Sequence, residues 1–328
     1  MELGKGKGKV NEKRKKADIS LLIPAFNEEV NIEPLVDKIA YFIRDTNYSV
    51  EAVIVDDGST DGTKDKIREC MKKYDFIVIQ DHKKNLGMTA ALVTAFNHSA
   101  GDYVVVFPAD LQYLPDCIPD LVAPLSRGYD IVTGWKEGKY EKKFVSFLYN
   151  KISRKIFQNV HVHDLNSIKA MKREVFQSLR LRKDWHRYIV VLAAEMGFKI
   201  KEIRVKLYPR IHGESKYSGY SRVLVGIFDM LSVKFLLSFS SKPLLFFGVA
   251  GLILTFLGMI LGLSAVAARV FLHTGFRPVL YLVMLLITVG VILFALGFMA
   301  ELIVINNEKM ETFEKKFEDM NSKMKKDE

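Results

Sequence analysis

The chain has 328 residues, 49% of them hydrophobic and 26% charged, with a formal net charge of +10 and only two cysteines. Its size can bury one large core plus an appendage, and its cysteine count excludes a disulfide framework. The positive charge is weak evidence for nucleic acid, because much of it sits in the N-terminal KGKGKV and EKRKKA stretches and ahead of an apolar segment. Anionic lipid explains such placement at roughly 1 kcal/mol per basic residue.

The opening segment, residues 1–17, is expected to be a disordered basic tail. Its glycines precede no strand and no GKS or GKT triplet, which removes a phosphate-loop reading, and its charged start offers no signal peptide. Apolar runs at Ile19–Ile23, Ala52–Val55, Phe76–Ile79, Tyr103–Phe107 and Ile131–Thr133 predict strands. Helical stretches near Glu29–Arg44, Asp61–Lys73 and Gly87–Ser99 separate the first four, so βαβ units and a mostly parallel α/β sheet follow. Asp61 stands after a glycine turn where a helix N-cap belongs.

Beyond Trp135 the pattern turns to basic helices, Lys142–Phe157 and Lys172–Leu179, then Trp185–Met196 and a strand-like Glu202–Tyr208. These are expected to cover the sheet and close the site. Tyr217–Phe239 mixes aromatic and aliphatic residues with Arg222, Asp229 and Lys234, a composition suited to the headgroup plane. Leu244–Ala268 and Pro278–Ala300 contain no Asp, Glu, Lys or Arg. Each exceeds the ~20 residues that cross a ~30 Å hydrocarbon layer, so a transmembrane hairpin is expected. Lys309, Lys315, Lys316, Lys323, Lys325 and Lys326 in the tail, against Arg269 and Arg277 in the connecting loop, favour a cytoplasmic side for both ends.

Two segments carry chemistry. VIVDDGSTDG, Val53–Gly62, is an apolar strand ending in Asp56 and Asp57. FPADLQ, Phe107–Gln112, ends a second strand with Asp110 and Gln112. Open α/β sheets hold ligands outside the carboxyl ends of their strands, and oxygen donors of this kind suit magnesium or manganese. His161 and His163 invite a zinc reading, which fails because no cysteine or third histidine lies nearby in sequence.

Taken in order, LLIPAFNEEVNI (Leu21–Ile32), VDDGSTDGT (Val55–Thr63), NLGMTAAL (Asn85–Leu92), PADLQ (Pro108–Gln112), HDLNSIKAMKREV (His163–Val175) and YPRIHGESKY (Tyr208–Tyr217) resemble the family 2 glycosyltransferases with a GT-A fold. The match is closest to the polyisoprenyl-phosphate glycosyltransferases, the group of dolichyl-phosphate mannose and glucose synthases, and spans Ile19 to Asn306. The resemblance implies a GT-A domain over 18–216, interfacial helices over 217–242, two transmembrane helices over 243–305 and a charged cytoplasmic tail over 306–328. It implies nucleotide binding at Pro24, Ala25, Asn27, Glu28, Asp56, Asp57, Gly87 and Asp110, and a metal, Mg2+ or Mn2+, at Asp110 with Gln112 assisting. Pro108 replaces the first acid of the family's DxD element, which removes one oxygen ligand. Acceptor phosphate is expected at Lys136, Arg154, Ser167, Arg210 and Lys216, with Asp110, Asp164, Arg210 and Lys216 as catalytic residues.

The implied reaction moves a hexose from a UDP- or GDP-linked donor to polyisoprenyl phosphate at the cytoplasmic membrane face, with inversion. The implied partners are the nucleotide sugar, the polyisoprenyl phosphate and membrane lipid, with no nucleic acid; a homo-oligomer is open, and the charged tail can form a helix that packs between subunits. Two alternatives stay open from sequence alone: a hydroxyl acceptor on a glycolipid or glycan, and a catalytically silent sugar-nucleotide-binding protein, which Pro108 motivates.

Overall fold

The computed structural model describes residues 17–138, 150, 152–157, 160, 162–209, 221–239, 243–271 and 277–324. The chain divides into two compact units, Met1–Phe228 and Asp229–Glu328.

In the first unit the elements run β1 (Ile19–Ala25), α1 (Glu29–Asp45), β2 (Val50–Asp56), α2 (Thr63–Lys73), β3 (Ile77–Asp81), α3 (Met88–Asn97), β4 (Tyr103–Val106), α4 (Ile118–Ser126), β5 (Ile131–Glu137), β6 (Lys169–Lys172), α5 (Arg173–Ser178), α6 (Ile189–Glu195) and β7 (Ile200–Lys206). They build a seven-stranded sheet in the order β3-β2-β1-β4-β6-β5-β7. β1 pairs in parallel with β2 and β4, and β5 with β7, whereas β6 runs antiparallel to β4 and β5. The chain crosses from β3 past β2 and β1 to reach β4, so the order reverses between β1 and β4. That reversal opens a crevice at their carboxyl ends.

Burial on both faces explains the near-continuous apolar strands. Ile19, Leu21, Ile23 and Ala25 of β1 join Ile54, Val105, Val132 and Ala170 in one core beneath α1 and α4. α3 packs on β1 and β2, and its buried Leu92 and Ala95 lie outside that core, on the sheet's other side. α1 presents Ile32, Leu35, Val36 and Ile39 to the core at the spacing of one helical face. α4 was not expected from sequence, since Pro119 and Pro124 interrupt its pattern. Pro119 falls in its first turn, where the missing N–H has no intrahelical partner to lose, and Ile118, Leu121, Val122 and Leu125 are buried. β6 also went unforeseen, and the helix expected over Lys172–Leu179 is the shorter α5 that follows it. Trp185–Met196 forms a 3-10 turn, Trp185–Tyr188, followed by α6.

α7 (Ser221–Phe239) crosses the division between the units. In the second unit α8 (Pro243–Phe271) and α9 (Arg277–Met324) pack along each other. Their backbones come close at two glycines: a Cβ on Gly251 would stand 2.5 Å from the Gly290 carbonyl oxygen. Small residues permit this approach between apolar helices. Leu244 N–H at the start of α8 donates to Glu301 Oε2 at 3.1 Å, placing a carboxylate on a helix N-terminus. Pro243–Phe271 and Arg277–Asn307 are long and apolar enough to cross a membrane, with only 17% and 6% of their most apolar windows buried. The core helix of a water-soluble protein would hide that surface.

Candidate active site

The loops that follow β1 and β2 are sewn together by side chain to backbone bonds. Asn27 adopts a left-handed φ of 52°. Its N–H donates to Ser59 Oγ (2.9 Å) and its Oδ1 accepts Thr60 N–H (2.8 Å). Glu28 N–H donates to Thr63 Oγ1 (2.8 Å), while Glu29 Oε2 accepts Gly62 N–H (2.9 Å). Asp61, expected as the N-cap, lies one residue before the observed cap Gly62 and accepts Thr63 N–H and its hydroxyl and also Glu29 N–H. Burial alone would raise the Asp61 pKa, but these donors outweigh it and hold the carboxyl below its ordinary range. Pro24 and Ala25 end β1 directly opposite Val55 and Asp56.

Asp56 and Asp57 are both 3% exposed, and their bonding differs. Asp56 Oδ1 accepts Ser59 N–H at 3.2 Å. Asp57 accepts Leu86 N–H (2.9 Å) and Gly87 N–H (2.8 Å) and meets His82 Nδ1 at 2.7 Å. A carboxylate only accepts, so His82 donates from Nδ1. Asp57 therefore secures the turn into α3, where Gly87 takes a φ of 93° that a side chain would strain.

After β4, burial alternates. Ala109, Leu111 and Tyr113 are 4%, 1% and 4% exposed, while Pro108, Asp110 and Gln112 are half-buried. Leu111 holds a left-handed φ of 58°, a strain of ~1–2 kcal/mol for a branched residue. Its burial offsets that cost. Asp110 Oδ1 accepts Gln112 N–H at 3.2 Å, and Gln112 O accepts Tyr208 N–H at 2.9 Å. A carboxylate and an amide oxygen two residues apart are donors of the type that a hard divalent cation takes when it draws its remaining ligands from phosphate and water. Among the described residues no group of three His, Cys, Asp or Glu side chains could hold a metal by itself.

The same edge of the sheet carries a charge cluster. Lys136, near the end of β5, lies 3.1 Å from Asp164 Oδ2 and donates to Asn166 O at 2.7 Å. Asp164 is 2% exposed, and its Oδ1 accepts Asn166 N–H at 3.0 Å. Glu202 Oε1 on β7 takes the N–H groups of His163 (2.7 Å) and Asp164 (3.0 Å), and its Oε2 meets His163 Nδ1. The His163 ring stacks on Trp135 at 4.1 Å. Lys169 opens β6 beside Val106 and Thr133, and is 3% exposed. Burial drives its pKa down to about 8; Asp164 opposes that effect and Lys136 adds to it. Two lysines thus share the field of one buried carboxylate. Ser167 Oγ bonds the buried Tyr113 hydroxyl at 2.9 Å, and burial pushes that hydroxyl well above its ordinary pKa.

Beneath α3 lies His186, 6% exposed. Thr89 Oγ1 accepts the His186 backbone N–H at 3.3 Å and stands 3.0 Å from Nδ1. Burial, reinforced by Arg187 and Lys169, lowers the ring pKa to about 3.

Of the acceptor-side residues expected from sequence, Lys136 and Asp164 are in contact and Ser167 follows on the same loop. Arg154 is exposed, with Nε donating to Asn150 O at 3.3 Å. β7 ends at Lys206, at the same sheet edge, shortly before Arg210. Arg210, Lys216 and His161 lie outside the described residues. Lys169, His186, Tyr113 and Glu202 were not singled out from sequence. The one local signal was Lys169 itself, a charge between apolar Ile168 and Ala170.

Comparison with known proteins places this geometry. Residues 20–180 match the family model described as glycosyl transferase family 2. The chain is 31% identical over 313 residues to the dodecaprenyl-phosphate galacturonate synthase of Rhizobium johnstonii, covering 89% of each chain. It is 27% identical over 296 residues to the undecaprenyl-phosphate 4-deoxy-4-formamido-L-arabinose transferase of Aeromonas hydrophila, covering 87% of this chain and 88% of that one. Among solved structures, glucosyl-3-phosphoglycerate synthase from Mycobacterium tuberculosis, in complex with Mn2+, UDP and glucosyl-3-phosphoglycerate, superposes with a TM-score of 0.53 at 20% identity over 66% of this chain and 80% of that one. The first unit has the GT-A fold that this likeness and the strand order describe.

Proposed function

Because the chain belongs to glycosyl transferase family 2, among the polyisoprenyl-phosphate glycosyltransferases, we propose that it transfers a hexose from a UDP- or GDP-linked donor to a polyisoprenyl phosphate at the cytoplasmic face of a membrane. Glycosyltransfer is its activity. The observation that carries the finer reading is one sheet edge bearing the half-buried Asp110, which accepts Gln112 N–H, together with the Lys136–Asp164 contact. The names of the two relatives, both transferring to a polyprenyl phosphate, support the acceptor class. α8 and α9 support a membrane anchor.

The chemistry follows from an acceptor that is already anionic near neutral pH. A hydroxyl acceptor would need a general base to remove its proton. A phosphate oxygen needs only to be held in line with the anomeric carbon while its charge is matched. Lys136, Arg210 and Lys216 supply that charge, with arginine as a fork and lysine as a point charge. Asp164, bonded to Lys136, aims the ammonium and is ill placed to serve as a free base. On the donor side, Pro24–Glu28 and Asp56 line the nucleotide end of the crevice, and Asp57 holds the Leu86–Gly87 turn. Asp110 and Gln112 would hold Mg2+ or Mn2+, which when bound supplies Lewis-acid neutralisation of the leaving diphosphate. In-line displacement gives an inverted, β-linked lipid phosphosugar.

The test supplies labelled nucleotide sugars and polyprenyl phosphate to the purified chain in detergent. The expected product is a lipid-linked sugar released by mild acid, with Asp110→Asn lowering turnover by ~100-fold, the scale of losing one charge-stabilising group. A product that survives mild acid would mean a hydroxyl acceptor. Donor binding without any nucleotide release would mean a silent binder.

A further inference from the structure

The last stretch of α9 carries an apolar seam that the proposed chemistry does not use. Met310, Phe313, Phe317 and Met320 are 62%, 69%, 62% and 56% exposed. They recur at alternating steps of three and four residues, continued upstream by Asn306 and Ile303 and downstream by Met324. That is a heptad repeat in which Met310, Phe317 and Met324 occupy position a, and Phe313 and Met320 occupy position d. The other positions are almost all polar, so the seam is narrow, as a helix pair requires and a globular core does not.

We propose that Asn306–Met324 pairs in parallel with the same segment of a second copy of this chain. Charge complementarity selects that occupant. The register places Lys309 at position g and Glu314 at the next position e, the two sites that face each other across a parallel, in-register coiled coil. The helix also bears on the alternative of a lipid surface. α9 runs unbroken from Arg277 to Met324, and its sequence contains neither proline nor glycine after Gly297. An amphipathic helix lies in the headgroup plane, and sharp turns away from a span occur at proline, glycine or a bulge. A rigid continuation of the span instead projects the seam away from the bilayer. Copies inserted the same way present it in the same direction, the one step that rests on the membrane-anchored reading.

The experiment uses the full chain in native membranes. Phe313→Cys and Lys315→Cys are oxidised with copper phenanthroline, with wild type and its Cys70 and Cys117 as background. A disulfide-linked pair is expected at Phe313→Cys and lost at Lys315→Cys, which lies at the outward position f. In detergent, the particle is expected to hold two chains, to fall to one in Phe313→Glu/Phe317→Glu and in Lys309→Glu, and to return to two when Glu314→Lys is added to Lys309→Glu. Cross-linking that ignores helix position, a wild-type particle of one chain, or failure of the charge swap to restore pairing would overturn the proposal. So would quenching of a fluorophore at position 313 by brominated lipid, which would assign the seam to the bilayer surface. Catalytic activity is read separately, so the glycosyltransfer reading can fail while the pairing stands, and the reverse.

Discussion

Replacing Lys169 with methionine separates the stability of the fold from the needs of the site. Lys169 is 3% exposed, and burial lowers its pKa from an ordinary 10.5 to about 8. The unfolded chain therefore binds the proton more tightly between about pH 8 and 10.5, so stability climbs with pH across that window. Below pH 8 the penalty is present in full, and above 10.5 it vanishes. The interval corresponds to ~3 kcal/mol. Methionine keeps the length of the stem without the charge, and replacing a buried ion by an apolar group of similar volume is often stabilising. Lys169→Met should thus unfold at higher denaturant than wild type at pH 7, by up to ~3 kcal/mol, with the gap closing toward pH 10.5. Only two tryptophans are present, Trp135 and Trp185, both in the first unit, so their fluorescence during guanidinium unfolding reports that unit alone. Turnover should fall in the same variant, because the charge that opposes Asp164 and sits beside the site is gone. A variant less stable than wild type by the same margin at every pH would refute the reasoning, since its loss would then come from packing and not from charge.

Acid should expose the second buried titrating group. His186 has a folded pKa of about 3 against an ordinary 6.5, so its contribution is present above pH 6.5 and lost as pH falls toward 3. The loss amounts to ~5 kcal/mol. Relative to wild type, His186→Gln should gain stability steadily over that window, and parallel unfolding curves at pH 7 and pH 4 would count against a neutral buried ring. Asp57→Asn offers one acceptor oxygen where the carboxylate has two, so either Leu86 N–H or Gly87 N–H loses its partner. The expected destabilisation is ~1–3 kcal/mol, accompanied by weaker UDP or GDP binding by calorimetry as the α3 turn loosens. Unchanged midpoint and unchanged affinity together would show that Asp57 does not hold that turn.

The first half of the fold was legible because its signals are local. The expected strands Ile19–Ile23, Ala52–Val55, Phe76–Ile79 and Tyr103–Phe107 coincide with β1 to β4 to within a few residues. Each is an apolar run bounded by turn residues and long enough to cross the sheet. α4 escaped notice because Pro119 and Pro124 read as breakers, although one occupies a first turn and Ile118, Leu121 and Leu125 still form a buried face. β6 was missed because four residues with a lysine at each end carry too little periodicity to register. Its place was decided by β4 and β5, which offer it two antiparallel edges.

Sequence by itself determined the family and the apolar framework of this protein: acids and an amide at the ends of apolar strands, in a motif order that one family shares, followed by two apolar stretches long enough to span a bilayer. Those properties depend on neighbours within a few residues, and a linear pattern records them. Tertiary structure alone decided the electrostatics of the site. Lys136 meets Asp164 at a sequence separation of 28, and Thr89 meets His186 at one of 97. Whether a lysine or histidine is solvated or buried is set by what packs over it, so the depressed pKa values of Lys169 and His186 came into view only once β6 and the Trp185–Tyr188 turn were in place.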